Sequence, residues 1–403
     1  MSEPMVVPLR DKAFWQDPYP ILNQARARHR TAVSESGEAV ILSIDDLETI
    51  SAHPAMVPLG LDALDRLGIT EGPFRDWRAL SLNAREHDDH KRLRALVGRA
   101  FTPMQVQRLR PLVRAHADEV LDELAPRGTM EVQADYARDI PLFAICVFLG
   151  IAEQDRHEIE ALQFGTEEGF GWPMTPERRK TADDGILGLY DYSRRLVEQR
   201  RRGPQNDLVT ALINVEEQGD RLSEAELLAM IVNLIGGAIG STSSAIANAA
   251  YLFATHPEQA ALLRAHPELA RPAIEEVLRY APPFRSTRRK ANDPVEIAGL
   301  HLETGQAVLL SRQSANRDPA RFDRPEEFDI ARGDTNHASF GHGPHFCLGQ
   351  ALARANLTEA IPALVARCDN LEVAATPWRV PFDPVEKFDA LLIHFTESKR
   401  ART

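Results

Sequence analysis

Cys347, one of three cysteines in the chain, lies in the stretch FGHGPHFCLG, residues Phe340 to Gly349. It stands between a glycine-rich turn and a charge-poor run, CLGQALARANLTEAIPALVAR, whose small and apolar residues recur at helical spacing. That pattern predicts a thiol at a helix start. Unpaired backbone N–H groups and the positive end of the helix dipole favour a thiolate there. Gly341, Gly343 and Gly349 clear side chains from around the sulfur, let backbone donors approach it and allow the loop positive φ. A thiolate held this way is a metal ligand or a nucleophile. No CxxC or Cys/His cluster stands nearby to complete a zinc site, and a lone thiolate suits haem iron.

The ten-residue pattern F-x-x-G-x-H-x-C-x-G resembles the haem-ligand loop of the cytochrome P-450 monooxygenases. Two further motifs precede it in that family's order. Glu276-Val-Leu-Arg279 resembles its E-x-x-R, and His90-x-x-x-Arg94 resembles its haem-propionate motif. The resemblance runs from Trp15-Gln-Asp-Pro-Tyr-Pro20 to the C-terminal segment. It implies a mainly α fold with a small β region, a single domain over residues 1–403, and haem b between a long central helix and the cysteine loop. In that frame Cys347 is the axial iron ligand, while Phe340, Gly341 and Gly349 shape the cofactor loop. His90, Arg94, Arg289 and His345 hold the propionates, with Arg285 and Arg288 close enough to Arg289 for a register error. Glu276 and Arg279 are structural, with Arg332 as a substitute third partner because Glu327 occupies one habitual position of that basic residue.

Composition agrees. A chain of 403 residues with 43% hydrophobic and 26% charged residues can bury a large core, and no Pro/Gly/Ser-rich linker or repeat divides it. The cysteines, odd in number and far apart, form no disulfide framework, which predicts a reducing compartment. The N-terminal MSEPMVVPLRDKAF lacks a signal pattern or an anchor helix, so the expectation is a soluble, cytoplasmic protein. A net charge of −12 argues against nucleic acid as a partner. Against that background the stretch from His90 to Ala117 has no acid but carries Lys91, Arg92, Arg94, Arg99, Arg108, Arg110 and Arg114, an expected docking face for an electron donor.

A small sheet is expected from the β-branched residues on either side of Ser36-Gly37-Glu38 and from the extended segments after Ala281-Pro-Pro-Phe284. Residues 56 to 86 show no clean period and read as an irregular segment, either substrate-facing or plain surface. Residues 104 to 220 read as amphipathic helices broken near Pro126, Gly150, Phe170 and Arg202. The aromatic stretch Phe164 to Pro176 resembles in position the family's mobile lid, which makes Phe170 and Trp172 candidates to touch substrate. Phe284 is a third.

Ser223-Glu-Ala-Glu226 is a capping box opening a run without Asp, Glu, Lys or Arg from Leu227 to Pro257. The run is long enough to cross a bilayer, but Asn233, Ser241 to Ser244 and Asn248 punctuate it, Gly236, Gly237 and Gly240 weaken it, and its flanks are acidic. It reads as the buried central helix. Here the chain departs from the family. Counting back from Glu276, the usual acid-then-threonine pair falls on Gly240-Ser241, or on Ser241-Thr242 with a shift of one, and neither register supplies an acid. Ser241 or Thr242 is left to supply the hydroxyl, with water for the carboxylate, unless these hydroxyls merely bond back to their own helix.

The resemblance implies insertion of one oxygen atom of O2 into a small hydrophobic substrate, with the thiolate favouring O–O cleavage. No flavin or pyridine-nucleotide module is evident, so electrons are expected from a separate ferredoxin and ferredoxin reductase. The missing acid keeps peroxide-driven oxygenation and oxidative coupling open as alternatives. A non-catalytic haem sensor is the reading outside enzymes.

Overall fold

The charge-free run forms a 32-residue helix, Glu224–Thr255, and much of the molecule is packed around it. Its start is fixed as the capping box requires: the Ser223 side chain accepts from the Glu226 backbone N–H, and Glu226 reaches back to Ser223. The computed structural model describes residues 4–215, 219–334 and 336–398. The first three residues of the N-terminal stretch therefore lie outside it, as do residues 216–218 of the helical region. Among the described residues the central helix is the one long and apolar enough to cross a membrane, and 61% of its apolar window is buried inside the molecule. It is a core helix, sheathed by Asp139–Leu149, Pro176–Arg202 and the cysteine helix Gln350–Arg367.

The expected hairpin is present, with Thr31–Ser34 antiparallel to Ala39–Ile41. It belongs to a six-stranded sheet in the order Val6–Val7, Thr31–Ser34, Ala39–Ile41, Ala307–Ser311, Ser286–Ala291, Met56–Pro58. This sheet carries Arg289 on one strand and delivers the chain to Arg312 at the end of the next. Helices end at the expected breaks, with Gly128 and Gly150 in the left-handed region at φ 62° and 75°.

The irregular reading of residues 56–86 is corrected. They contain short helices at Asp62–Asp65 and Pro73–Leu80 and a single 3₁₀ turn at Leu82–Ala84. Pro73 is pre-set for a first helical turn, and Phe74 and Trp77, three apart, form the buried face. The segment was hard to read because eight residues hold barely two turns of periodicity.

Candidate functional site

The cysteine loop is tied to the fold on both flanks. The Cys347 N–H donates to the Phe340 carbonyl at 2.9 Å, and the helix begins at Gln350 after Gly349. Gly341 and Gly343 have φ 74° and 71°, and a Cβ on Gly343 would stand 2.5 Å from the Ser51 carbonyl oxygen. Gly343 is thus required twice over, by conformation and by space. Gly349 differs from expectation: its φ is −83°, and no protein atom lies within 4 Å of where its Cβ would be. It keeps the neighbourhood of the sulfur clear without being needed for the turn. Burial pushes the Cys347 thiol up, while the Gly349 backbone N–H and the charges of Arg312, Arg94 and Arg354 pull it down. The helix start therefore does not by itself make a thiolate. A metal ion that replaces the proton would draw on all four of those groups.

Two carboxylates on the helix Ala270–Tyr280 hold this region in place. Arg279 forks onto Glu276 with Nε and Nη2 at 2.7 and 2.8 Å, and both side chains are buried. Arg279 also donates to the carbonyls of Asn316, Pro325 and Glu327. Arg332 completes the cluster at 3.2 Å from Glu276. Glu327 contributes its carbonyl here and turns its carboxylate to Arg324. The direct clasp on the cysteine region comes from a residue the sequence reading passed over. Glu275 accepts from His337 at 3.0 Å and Arg354 at 2.5 Å, on either side of Cys347. Burial pushes the Glu275 carboxyl up, but these two partners outweigh it and hold it at about 2.

Cations converge on the other side of the sulfur. His90 and Arg94 share a face of the helix His87–Ala100, and the His90 ring lies against that of His345 with centroids 4.0 Å apart. Arg94 and Arg312 both lie within electrostatic reach of Cys347, and Arg312 within reach of Arg289. The three-way register question is answered by partners. Arg285 is buried against the carbonyls of Val380 and Asp383, and Arg288 is on Glu38 at 3.0 Å. Arg285 also has unpartnered nitrogens but lies against Trp15 and Glu386, whereas Arg289 is buried beside Arg312, its Nε without a partner. Arg312, absent from the sequence reading, is the fifth member that structure adds to Arg94, Arg289 and the two histidines. Its signal was a lone cation inside the otherwise uncharged AVLLSRQSAN.

These groups are under-satisfied. His90 Nε2, Arg289 Nε and Arg312 Nε are buried without hydrogen-bond partners, and one oxygen of the single nearby carboxylate, Glu86, is likewise unpartnered. Burial lowers Arg94 and Arg289 from the ordinary arginine range. It takes Arg312 down to about 10, with Arg289 adding to the effect. His90 is pushed down to about 4 by burial, then by His345 and Arg94. Buried guanidinium nitrogens without partners call for an anionic acceptor. The two propionates of haem fit that donor set.

On the central helix, the sequence reading found no acid beside the hydroxyls, but the fold supplies one. Gln163 and Glu167, four apart on the helix Arg156–Glu167, lie over Gly236 and Gly240, four apart on the central helix. A Cβ on Gly240 would stand 3.3 Å from Glu167 Oε1. Lys387 holds the Glu167 carboxylate at 3.1 Å, and Arg138 lies at 3.8 Å. Neither the Ser241 nor the Thr242 hydroxyl has a hydrogen-bond partner among the described residues, so neither bonds back to its helix, whereas Ser244 donates to the Glu386 carbonyl. No sequence signal could have identified Glu167, because only the crossing of two helices brings it to Gly240.

Two further expectations change. Trp172 is 56% exposed and stays out of the aromatic cluster formed by Phe170 with Phe74 and Trp77. Phe284 is half-buried, with the Arg312 guanidinium 5.5 Å from its ring centroid. Three of the seven cations of the basic run are paired: Arg92 is engaged by Asp89, Asp220 and Glu226, Arg110 by Glu359 and Arg114 by Asp118. Arg92 is therefore an internal tie rather than a docking charge.

Comparison with known proteins agrees with this geometry. The family model for Cytochrome P450 matches residues 263–374, from before Glu276 to beyond the cysteine helix. Cytochrome P450 monooxygenase PikC of Streptomyces venezuelae is 34% identical over 401 residues, 96% of this chain and 93% of that protein. Luteothin monooxygenase of Streptomyces thioluteus is 31% identical over 360 residues, 88% of each. Among solved structures, CalO2 superposes with a TM-score of 0.90 at 28% identity, covering 96% of this chain and 98% of that one. P450BioI, solved in complex with a hexadec-9Z-enoic acid ligated acyl carrier protein, gives 0.88 at 27%, covering 95% and 99%.

The chain belongs to the cytochrome P450 family. It is a haem b-dependent monooxygenase, an oxidoreductase that acts on hydrophobic substrates with O2 and electrons from separate redox partners.

Proposed function

We propose that Cys347 is the axial thiolate ligand of haem b, and that Arg94, Arg289 and Arg312, with His90 and His345, hold its propionates. The observation that carries this reading is a glycine-looped cysteine within electrostatic reach of Arg94 and Arg312, with Arg289 beside Arg312 and a buried Nε unpartnered on both Arg289 and Arg312. We read residues 1–403 as one P450 domain, placed in the cytoplasm and served by a ferredoxin and its reductase. Bound haem supplies the iron centre at which O2 is activated for insertion into a substrate C–H bond. The protein's own residues do the rest. Cys347 lends negative charge, and the arginine cluster fixes orientation. Phe170 and Phe284 offer apolar contact to a hydrophobic substrate.

Glu167 is the proton source in this reading. Its Oε1 faces Gly240, the neighbour of Ser241, and its other carboxylate oxygen accepts from Lys387. Ser241 and Thr242, with free hydroxyls, pass the proton on through water. An acid lent by a neighbouring helix removes the reason for favouring peroxide-driven oxygenation or oxidative coupling. The decisive experiment supplies O2, reductant, ferredoxin and reductase with hydrophobic candidates and looks for one labelled oxygen atom in product. Turnover with peroxide alone, and none with O2, would overturn the assignment.

Two expected outcomes follow from the residues named. Arg94→Ala and Arg289→Ala each weaken haem retention, at roughly 1.5 to 3 kcal/mol per charge-assisted hydrogen bond removed. Haem content after purification and mild heating reports this, and unchanged content in both variants counts against the propionate roles. Glu167→Gln lowers product formed per reductant consumed by roughly tenfold or more, the scale of a lost general acid. Gly240→Asp in the parent brings no gain, because the new carboxylate meets Glu167. In Glu167→Gln, adding Gly240→Asp restores coupling. Full coupling in Glu167→Gln would remove Glu167 from the relay.

A further inference from the structure

On the helix Pro73–Leu80, Arg75 and Arg78 have opposite fates. Arg75 faces outward and is met by Asp65 at 2.6 Å. Arg78 points the other way and has no hydrogen bond or ion pair among the described residues, its one recorded contact being the Phe170 ring, 6.0 Å from the guanidinium carbon. Its helix packs on the central helix and on Pro176–Arg202. Burial alone takes the Arg78 side chain down to about 10, yet it keeps part of its surface accessible. A side chain that is deep and still accessible is within reach of a ligand.

The acids nearby are committed elsewhere. Asp183 accepts the Phe74 N–H and pairs with Arg179, and Glu168 is on Arg178 at 3.1 Å. A second donor in the same place is also unmet: Trp77 Nε1 is buried without an acceptor. Both residues border the Phe170 ring, with Trp77 6.4 Å from it between centroids. Phe74 is locked beneath that ring at 5.1 Å, and Gly169 leaves no room for a side chain against it. The result is a rigid aromatic wall carrying one unpaired cation.

We propose that Arg78 is a substrate-recognition residue that binds the carboxylate of an acid whose apolar body lies on Phe170, the ring that Phe74 and Trp77 back. A single guanidinium fork matches one carboxylate in charge and geometry, whereas a phosphate dianion would leave a charge uncompensated here. The missing internal anion explains why one must come with the ligand. The inference rests on the monooxygenase reading and narrows its substrates to organic acids.

The test uses the haem-loaded protein and two acid and methyl ester pairs, dodecanoate and 4-phenylbutyrate, measured by calorimetry and by thermal shift. In the parent the acid of at least one pair binds tighter than its ester by roughly tenfold or more, the effect of one charge-assisted fork. Arg78→Gln abolishes that preference by weakening the acid and not the ester, and Arg78→Lys keeps part of it. Arg75→Gln changes neither. Acid and ester bound equally, no binding of either acid, or a preference that survives Arg78→Gln would overturn the proposal. The ferrous carbon monoxide spectrum of the same samples separates the two readings. If its thiolate band is present while the acid preference is missing, the substrate inference fails alone; if the band is missing, the haem-thiolate reading fails.

Discussion

Cys347→Ala is expected to abolish the absorption band that marks thiolate ligation in the ferrous carbon monoxide adduct. The effect is all-or-none because no other thiol can take over. Cys146 and Cys368 are buried, and burial pushes each up to about 12, so neither offers a thiolate at neutral pH. The arginine cluster is untouched by this change, so some haem is expected to remain bound through its propionates while the band is lost. Haem content and ligation state are thereby measured separately. A band that persists in Cys347→Ala would refute the ligand assignment outright.

The second large effect is on stability. Arg279→Ala leaves Glu276 as a buried carboxylate with Arg332 and the Asp329 N–H to offset it, and leaves the carbonyls of Asn316, Pro325 and Glu327 without their shared donor. Removing one partner of a buried, hydrogen-bonded pair costs roughly 3–5 kcal/mol. A large part of the stability of an ordinary domain would be lost, so the variant should unfold at markedly lower denaturant or fail to accumulate. Glu275 adds an acid dependence whose sign follows from its lowered folded-state value. Its carboxylate contributes fully above the ordinary value of 4.5, and that contribution is lost as pH falls through about 2. The difference corresponds to roughly 3 kcal/mol at about 1.4 kcal/mol per tenfold change in proton affinity. Glu275→Gln should flatten the acid limb of the unfolding curve. A limb of unchanged steepness would show that His337 and Arg354 do not depend on that charge.

What the sequence disclosed and what it withheld divide along a physical line. Cys347, His90, Arg94, Glu276 and Arg279 are held at fixed local spacing by one loop or one helix, so their motifs are visible in the chain as written. The central helix was legible from its capping box and its long uncharged run. Arg312, Glu167 and Glu275 act through contacts across the fold, and nothing in their immediate neighbours marks those contacts. The pairing of Arg92 and Arg110 in the basic run was hidden for the same reason. Their carboxylate partners Asp220, Glu226 and Glu359 lie more than a hundred residues further on. Excess charge along a segment is not excess charge on a surface.

The crossing at Gly236 and Gly240 has a consequence for timing. An acid on the central helix would stand at a constant distance from Ser241 whatever else moved. Glu167 instead closes the helix that runs straight into the Glu168–Phe170 turn and the lid segment beyond it. Any displacement of that segment carries the carboxylate with it. On the role proposed for Glu167, proton supply is wired as an interlock: the acid is in register with the hydroxyls only while the Glu168–Phe170 turn keeps its place, and a cavity left open is also one disarmed.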